Sequence, residues 1–457
     1  MVREMIKLAK RFVLVCIAIM IAVATAELGL RLVCRVYSPV NNLLSTHEVI
    51  PDLILKFRPR PGMAGLDELG FPNAGVVEKA DVVCMGDSQC FGYRVRPPDA
   101  WPRQLEALIA QAQPADEQIA YAWSKLGLPK PRSVQPAGVI DTAPRPRIHS
   151  AGARPPTVYN MSFPMYSPLH SLRLLDEAYG LNPEVIVAAF YLGNDSHDSY
   201  TLVDFYHRTG RLSKSPCQVG LRDAIVEVDR NDSARSTPEN IDWSKHRLPG
   251  GGLSSYKLFQ IISLIYTNCE YQFGETPSRT LSGKVFWELI QIPSFFMPQQ
   301  WVFDDGRFRT IFDSKFRVDM MNLEYRTVRC GLRLSLEALN LMAKRSKERN
   351  TEFVVLILPT KQMVFSELVQ NHVKDSSKIP DTFLAVLKNE KILKEKTITY
   401  LTKNGIRYLD PVPVLRSCFE KGAQPFKVSV DDHPSVVGHA ALANLVFNEI
   451  TNLRDRK

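Results

Sequence analysis

The sequence predicts an α/β fold: a three-layer α/β/α domain with a mainly parallel central sheet, an N-terminal transmembrane helix and a large insertion. Three observations predict it. Short runs of β-branched and apolar residues recur at 79–85 (KADVVCM), 185–192 and 353–358 (FVVLIL), the first apolar at successive positions from Val82 and the other two throughout. Stretches with helical periodicity alternate with them, and strands buried on both sides between helices belong to parallel sheets. A basic leader followed by an apolar run stands apart at the N-terminus.

In chain order the leader comes first. Arg3, Lys7, Lys10 and Arg11, against Glu4, precede an uncharged run over 12–26. A bilayer crossing takes about 20 residues. Apolarity resumes in Leu28, Leu30, Leu32 and Val33, so a helix over 12–33 spans, with Glu27 and Arg31 near the outer interface. Alternatively, Ala24-Thr25-Ala26 has the small-residue pattern of a signal-peptide cleavage site. Positive charge on the leading side keeps that end in the cytoplasm, which makes the remainder extracytoplasmic, periplasmic or extracellular. Residues 1–33 therefore read as a signal anchor and 34–78 as a membrane-proximal linker.

The α/β domain reads as two halves, 79–215 and 336–457. The first holds the strand at 79–85 and a helix over 100–112 with Trp101, Leu105, Leu108 and Ile109 on one face. A strand over 157–163, a helix over 169–181 and the strand at 185–192 follow. The second half holds the strand at 353–358, helical stretches to about 403, a strand at 406–409 and an amphipathic helix over 436–451. Residues 114–157 carry eight of the chain's 31 prolines and read as an irregular excursion. Residues 216–335 contain Pro249-Gly250-Gly251-Gly252 and the aromatic pairs Phe286-Trp287 and Phe295-Phe296. They read as an insertion serving as a lid, a membrane-facing surface or a helical cap with an aromatic core.

Composition narrows the function classes. At 457 residues, with 45% hydrophobic and 23% charged, the chain is globular rather than disordered. The balance of 57 basic to 48 acidic residues is mild, and no finger, zipper or aromatic-basic motif is present, so nucleic acid is not an expected partner. The cysteines at 16, 34, 84, 90, 217, 269, 330 and 418 are too scattered for a zinc motif. They fit either disulfides of an oxidising compartment, in a connectivity that spacing does not give, or small buried side chains. No set of His, Cys, Asp and Glu has metal-ligand spacing, and no cofactor is expected.

Three places carry the chemistry. Ser88, in Gly86-Asp87-Ser88, stands at the carboxyl end of a strand, where open α/β sheets bind ligands. Asn194, in Gly193-Asn194-Asp195, also follows a strand, and its neutral amide suits an oxyanion that exists only in the transition state. His433 lies in Val430-Asp431-Asp432-His433-Pro434-Ser435, just before the last helix. A serine hydroxyl needs a base to remove its proton, and that imidazole needs a carboxylate to fix its tautomer. In extended chain, i and i+2 share a face, so Asp431 rather than Asp432 turns toward His433. Ser435 reads as the cap of the last helix. Cys90 is a weak rival nucleophile with no neighbouring base. His197 and Asp198 read as a solvated turn, His439 as a packing or capping residue, and Asp195 as an anchor for the loop that aims Asn194.

These residues resemble the SGNH/GDSL hydrolase superfamily, whose fold is a flavodoxin-like α/β/α sandwich. The resemblance lies in GDSQCFGYRV from Gly86 to Val95, Trp101-Pro102-Arg103-Gln104-Leu105-Glu106, Gly193-Asn194-Asp195, Leu358-Pro359-Thr360-Lys361 and the Asp431 to Ser435 stretch. It covers about 79–200 and 336–450 and is closest to membrane-anchored, exported bacterial members. It implies Ser88 as nucleophile, His433 as base, Asp431 as its orienting partner, and an oxyanion hole from the Ser88 N–H and the Asn194 amide. The family's second block supplies a glycine N–H where this chain has Met165, so the resemblance assigns that N–H to Met165, with a side chain that narrows the acyl pocket. The family's acid commonly stands three residues before the histidine, where this chain has Val430, and the two-residue spacing follows subgroup members. The activity implied is hydrolysis of an ester, an O-acetyl group of cell-surface carbohydrate. Acyl transfer by the same triad, or a silent scaffold of an envelope polysaccharide assembly, are the alternatives.

Overall fold

The structure, a computed structural model, describes residues 18, 21–31, 49–62, 65–112, 157–235 and 300–455. Most of the expected anchor lies outside these residues, and among the described residues no helix is long and apolar enough to cross a membrane. Nearly all of the proline-rich excursion and both expected aromatic pairs also lie outside them.

The chain opens with an antiparallel hairpin, β1 (Val49–Asp52) and β2 (Lys56–Pro59). Then come β3 (Val82–Met85), the one-turn α1 (Ser88–Phe91), α2 (Trp101–Ala112) and β4 (Val158–Asn160). Next are α3 (Pro168–Arg173), α4 (Leu175–Gly180), β5 (Val185–Tyr191), α5 (Asp195–Arg208) and α6 (Leu221–Arg235). A second hairpin, β6 (Gln300–Asp304) and β7 (Arg309–Asp313), leads into α7 (Ser314–Met321) and α8 (Arg326–Glu348). The last elements are β8 (Glu352–Leu358), α9 (Lys361–His372), α10 (Asp381–Lys403), β9 (Arg407–Leu409), α11 (Val412–Glu420) and α12 (Val436–Asp455).

Five strands form one sheet in the order β4-β3-β5-β8-β9, with every pair parallel. Numbered along the chain this is 2-1-3-4-5, the flavodoxin-like order, in which the direction of winding reverses between β3 and β5. All seven residues of β5 are buried. Their alternation divides the interior in two. Ile186, Ala188 and Phe190 pack with α3, α4, α5 and α8 in one cluster, whereas Val185, Val187, Ala189 and Tyr191 pack with α2, α9 and α12 in the other. Each large apolar side chain so buried contributes about 1.5–3 kcal/mol.

Three expectations change in detail. The helix expected over 169–181 is two helices meeting at Leu174, whose φ −89° and ψ −2° close the first and open the second. At about 100° per residue, one straight helix sets Leu169 and Ala178 on opposite faces. The break lets both be buried, together with Leu174 and Leu175. The described part of 34–78 packs as part of the domain rather than standing off as a linker: Leu55, Phe57 and Phe71 are buried in the first cluster, and the Tyr159 hydroxyl donates to Asp67 (2.6 Å). A boundary at 335 falls inside α8, which covers the sheet, so the inserted segment ends before Arg326. Of that segment, Phe303, Phe308 and Phe312 join the second cluster and meet Phe365, Phe419 and Phe383 respectively in edge-to-face contacts. A disulfide joins Cys217 to Cys330, while Cys84, Cys90 and Cys418 are free and buried.

Candidate active site

The winding reversal opens a crevice at the carboxyl ends of β3 and β5, and the candidate residues gather there. On the β3 side the turn is made by local chain. Gly86 takes φ +159°, and a Cβ there meets the Cβ of Ala189 at 2.8 Å, so the turn lies hard against β5. Asp87 caps α1 by accepting the Gln89 N–H (2.9 Å), which leaves Ser88 as the first helical residue. Its N–H is among those the helix itself leaves unsatisfied. Burial pushes the Asp87 carboxyl up to about 6, against the opposing pull of the Gln89 N–H and His433.

His433 arrives from the other side, on the irregular segment before α12. Its Nε2 lies 2.8 Å from Ser88 Oγ, and its Nδ1 lies 2.7 Å from Asp431 Oδ1. The same Asp431 oxygen accepts the His433 backbone N–H (2.8 Å), so one carboxylate oxygen fixes both ring and backbone. Burial alone raises the Asp431 pKa. The charge and hydrogen bond of His433, with Arg94 and Lys427, outweigh it and hold the carboxyl far below its ordinary range. An ionised Asp431 only accepts, so Nδ1 carries the proton and the Nε2 lone pair faces Ser88. Tyr93 lays its ring against the imidazole at 4.9 Å, and Arg94 Nε lies 3.0 Å from Asp431 Oδ2. Asp432 turns the other way, to Arg317.

The residues expected at an oxyanion hole lie on the segments that follow β5 and β4. Asn194 occupies the N-cap position of α5, and its Nδ2 donates to Asp198 Oδ2 (2.5 Å). An amide nitrogen has two hydrogens, so the bond to Asp198 orients the group and leaves one N–H to give. Asp195 accepts the Tyr191 N–H (2.8 Å) and so pins this loop to the end of β5, with burial pushing its carboxyl well up. The segment after β4 is tied to the serine turn, since Phe163 N donates to Gly86 O (3.2 Å) and Asn160 Nδ2 to Cys90 O (3.1 Å). Met165 lies on that segment with φ +68°, the left-handed region, and is 42% exposed. The backbone there thus keeps a conformation that suits glycine although the residue is methionine.

Other candidates resolve by burial and partners. Cys90 is fully buried, and burial raises its thiol pKa well above the ordinary value, which removes it as a rival nucleophile. Asp198 is buried and bound to Asn194, a correction to its reading as part of a solvated turn; the i, i+4 spacing from Asn194 was the available signal. His439 is buried and accepts the Trp101 N–H (3.2 Å) at Nδ1, so it caps α2. Ser435 caps α12, accepting from Gly438 N (3.3 Å). Among the described residues, no group of three or more His, Cys, Asp and Glu gathers to hold a metal ion.

Two cations, one buried and one mostly covered, were not marked as site residues by the sequence. Lys361, at the start of α9, is wholly buried and donates to the carbonyls of Ile311 (2.9 Å), Ser429 (2.8 Å) and Asp431 (2.9 Å). Arg317, on α7, bonds Asp432 Oδ2 (2.7 Å) and Gly193 O (3.3 Å) and lies over the Tyr191 ring at 5.1 Å.

No family model matches the chain, and no curated protein matches it. Among solved structures, the chain is similar to the crystal structure of a GDSL-like lipase from Bacteroides thetaiotaomicron VPI-5482, with 8% identity and a TM-score of 0.30 over 83% of this chain and 93% of that one.

Proposed function

We propose that this chain is a serine esterase of SGNH/GDSL type that removes ester-linked acyl groups, O-acetyl groups of cell-surface carbohydrate, from an extracytoplasmic position at the membrane. One observation carries the reading: the unbroken chain from Asp431 through both nitrogens of His433 to Ser88 Oγ, with bonds of 2.7 and 2.8 Å. Serine as nucleophile, imidazole as base and carboxylate as orienting group need that order and that reach.

In this reading Ser88 Oγ attacks the ester carbonyl carbon as His433 Nε2 takes its proton. Asp431 steadies the imidazolium that results. The carbonyl oxygen becomes an oxyanion held by the Asn194 amide and by the N–H groups of Ser88 and Met165. His433 then gives its proton to the departing alcohol, and water, activated by the same nitrogen, releases the acid from Ser88. Where a sugar hydroxyl takes the place of water, the same residues carry out acyl transfer. The Cys217–Cys330 disulfide supports an exported location, because structural disulfides persist in oxidising compartments.

The test is direct. The purified chain takes a fluorophosphonate label and releases p-nitrophenol from p-nitrophenyl acetate, and Ser88→Ala abolishes the label and lowers kcat by about 10⁴-fold or more. Labelling and turnover that survive Ser88→Ala remove the serine-esterase reading. Release that is slow in water and accelerated by a glycan acceptor selects transfer over hydrolysis.

A further inference from the structure

We infer that Arg317 is a positioning residue for catalysis, a clamp from the inserted segment that holds the base loop and the oxyanion loop at their working separation. The inference rests on the esterase reading above and adds a residue that the resemblance does not supply.

Ser88 sits on a helix start tied to the segment after β4, but His433 and Asn194 belong to different loops, separated by more than two hundred residues and joined by no common strand. Arg317 touches both. Its Nε bonds Asp432, the neighbour of His433, and its Nη1 bonds Gly193 O, the neighbour of Asn194. Its guanidinium lies over the Tyr191 ring at the end of β5, and its charge also acts on Asp87, the cap before Ser88. A planar fork holds its donors at fixed angles to one another, which the rotatable donors of an ammonium on a flexible stem do not.

The clamp has a fixed base. The side chains of Arg317 and Asp432 are 13% and 7% exposed, so the pair is shielded from water and salt. Lys361 bonds Ile311 O on β7 and Ser429 and Asp431 O on the base loop, which ties the hairpin before α7 to that loop as well. The described end of the inserted segment is therefore part of the catalytic frame. Because Arg317 is engaged on both sides and covered, it acts through Asp432 and Gly193 and not by touching substrate.

A shift of about 1 Å at reacting groups costs on the order of 10²-fold in rate. Arg317→Met is expected to lower kcat by about 100-fold with KM within twofold, and Arg317→Lys and Asp432→Asn, each retaining one contact, by about 10-fold. In an Asn194→Ala background the Arg317→Met loss is expected to shrink below about 10-fold, since the loop it aims no longer donates. Arg211→Met serves as control: it breaks the buried pair with Asp232, lowers the melting temperature and leaves kcat alone. Should Arg317→Met not fold, Arg317→Lys and Asp432→Asn carry the same comparison. Wild-type labelling by fluorophosphonate with kcat unchanged in all three variants overturns the clamp alone. A full 100-fold loss persisting in Asn194→Ala overturns its link to the oxyanion loop. Absence of Ser88-dependent labelling in the wild-type chain overturns the esterase reading and the clamp together.

Discussion

The serine turn and the histidine loop meet at one hydrogen bond, yet they are built by opposite means. Ser88 is placed by neighbours in sequence: a buried strand, a glycine pressed against β5, and Asp87 capping one turn of helix. His433 is placed by charges from far away in sequence, namely Arg94, Arg317 and Lys361, acting on the irregular chain from 427 to 433, whose Lys427 reaches back to Arg94 O. Backbone geometry fixes Ser88, and charged contacts fix His433. The two sides should fail differently when disturbed: the first through packing, the second through charge.

The strongest way to sharpen this contrast is Asp431→Asn, which keeps shape and removes the acceptor that sets the Nδ1 tautomer. The expected loss of kcat is about 10⁴-fold, equivalent to about 5.5 kcal/mol, with the melting temperature little changed. A loss under tenfold breaks the assignment of Asp431. Next is reduction of the disulfide, whose partners are 113 residues apart and enclose the hairpin and α7. Cross-linking a loop of that length stabilises by about 4–5 kcal/mol, so dithiothreitol should lower the urea midpoint and impair the base side first.

Glu390 tests the charge side at one remove. It accepts the N–H and hydroxyl of Thr360, the cap of the helix that begins with Lys361, and burial lifts its carboxyl from 4.5 to about 7. A folded pKa raised above the unfolded one gives stability that is complete below about pH 4.5 and is lost as pH rises through 7. Replacing Glu390 by Gln should therefore flatten the stability profile between those limits by about 3 kcal/mol, measured by urea unfolding at pH 5 and pH 8. A variant whose profile is as steep as the wild type refutes this account of Glu390.

On the packing side, Gly86→Ala forces a Cβ to 2.8 Å from that of Ala189 and 3.0 Å from that of Cys90. A destabilisation of about 2 kcal/mol is expected, with loss of activity through a displaced Ser88. The smallest effect belongs to Met165→Gly. Glycine relieves a left-handed backbone cost of about 1–2 kcal/mol and adds unfolded-state entropy of about 0.4–1, so stability should hold or rise by up to about 1.6 kcal/mol. A clear loss of stability would show that the methionine side chain, not the backbone conformation, matters at this position.

How much was legible in the sequence follows the same division. Strand periodicity located β3, β5 and β8, and the two-residue spacing placed Asp431 on the side of His433, because both are rules of local chain geometry. The break at Leu174, the burial of Asp198 and the packing of Leu55, Phe57 and Phe71 escaped it. Nothing in the local pattern says which faces the rest of the chain covers. Arg317 sits in a segment whose composition is unremarkable, and only its contacts give it meaning.

Local pattern was enough to read the alternation of strand and helix, the three stretches that hold the candidate residues, and Ser435 as the cap of α12, since each depends on interactions within a few positions. Long-range packing set the strand order, and with it the sheet edge where Ser88 and His433 meet. It also decided which cations lie buried against the base loop. The physical reason is that desolvation and convergence are properties of distant elements packed together, and a linear pattern carries no record of either.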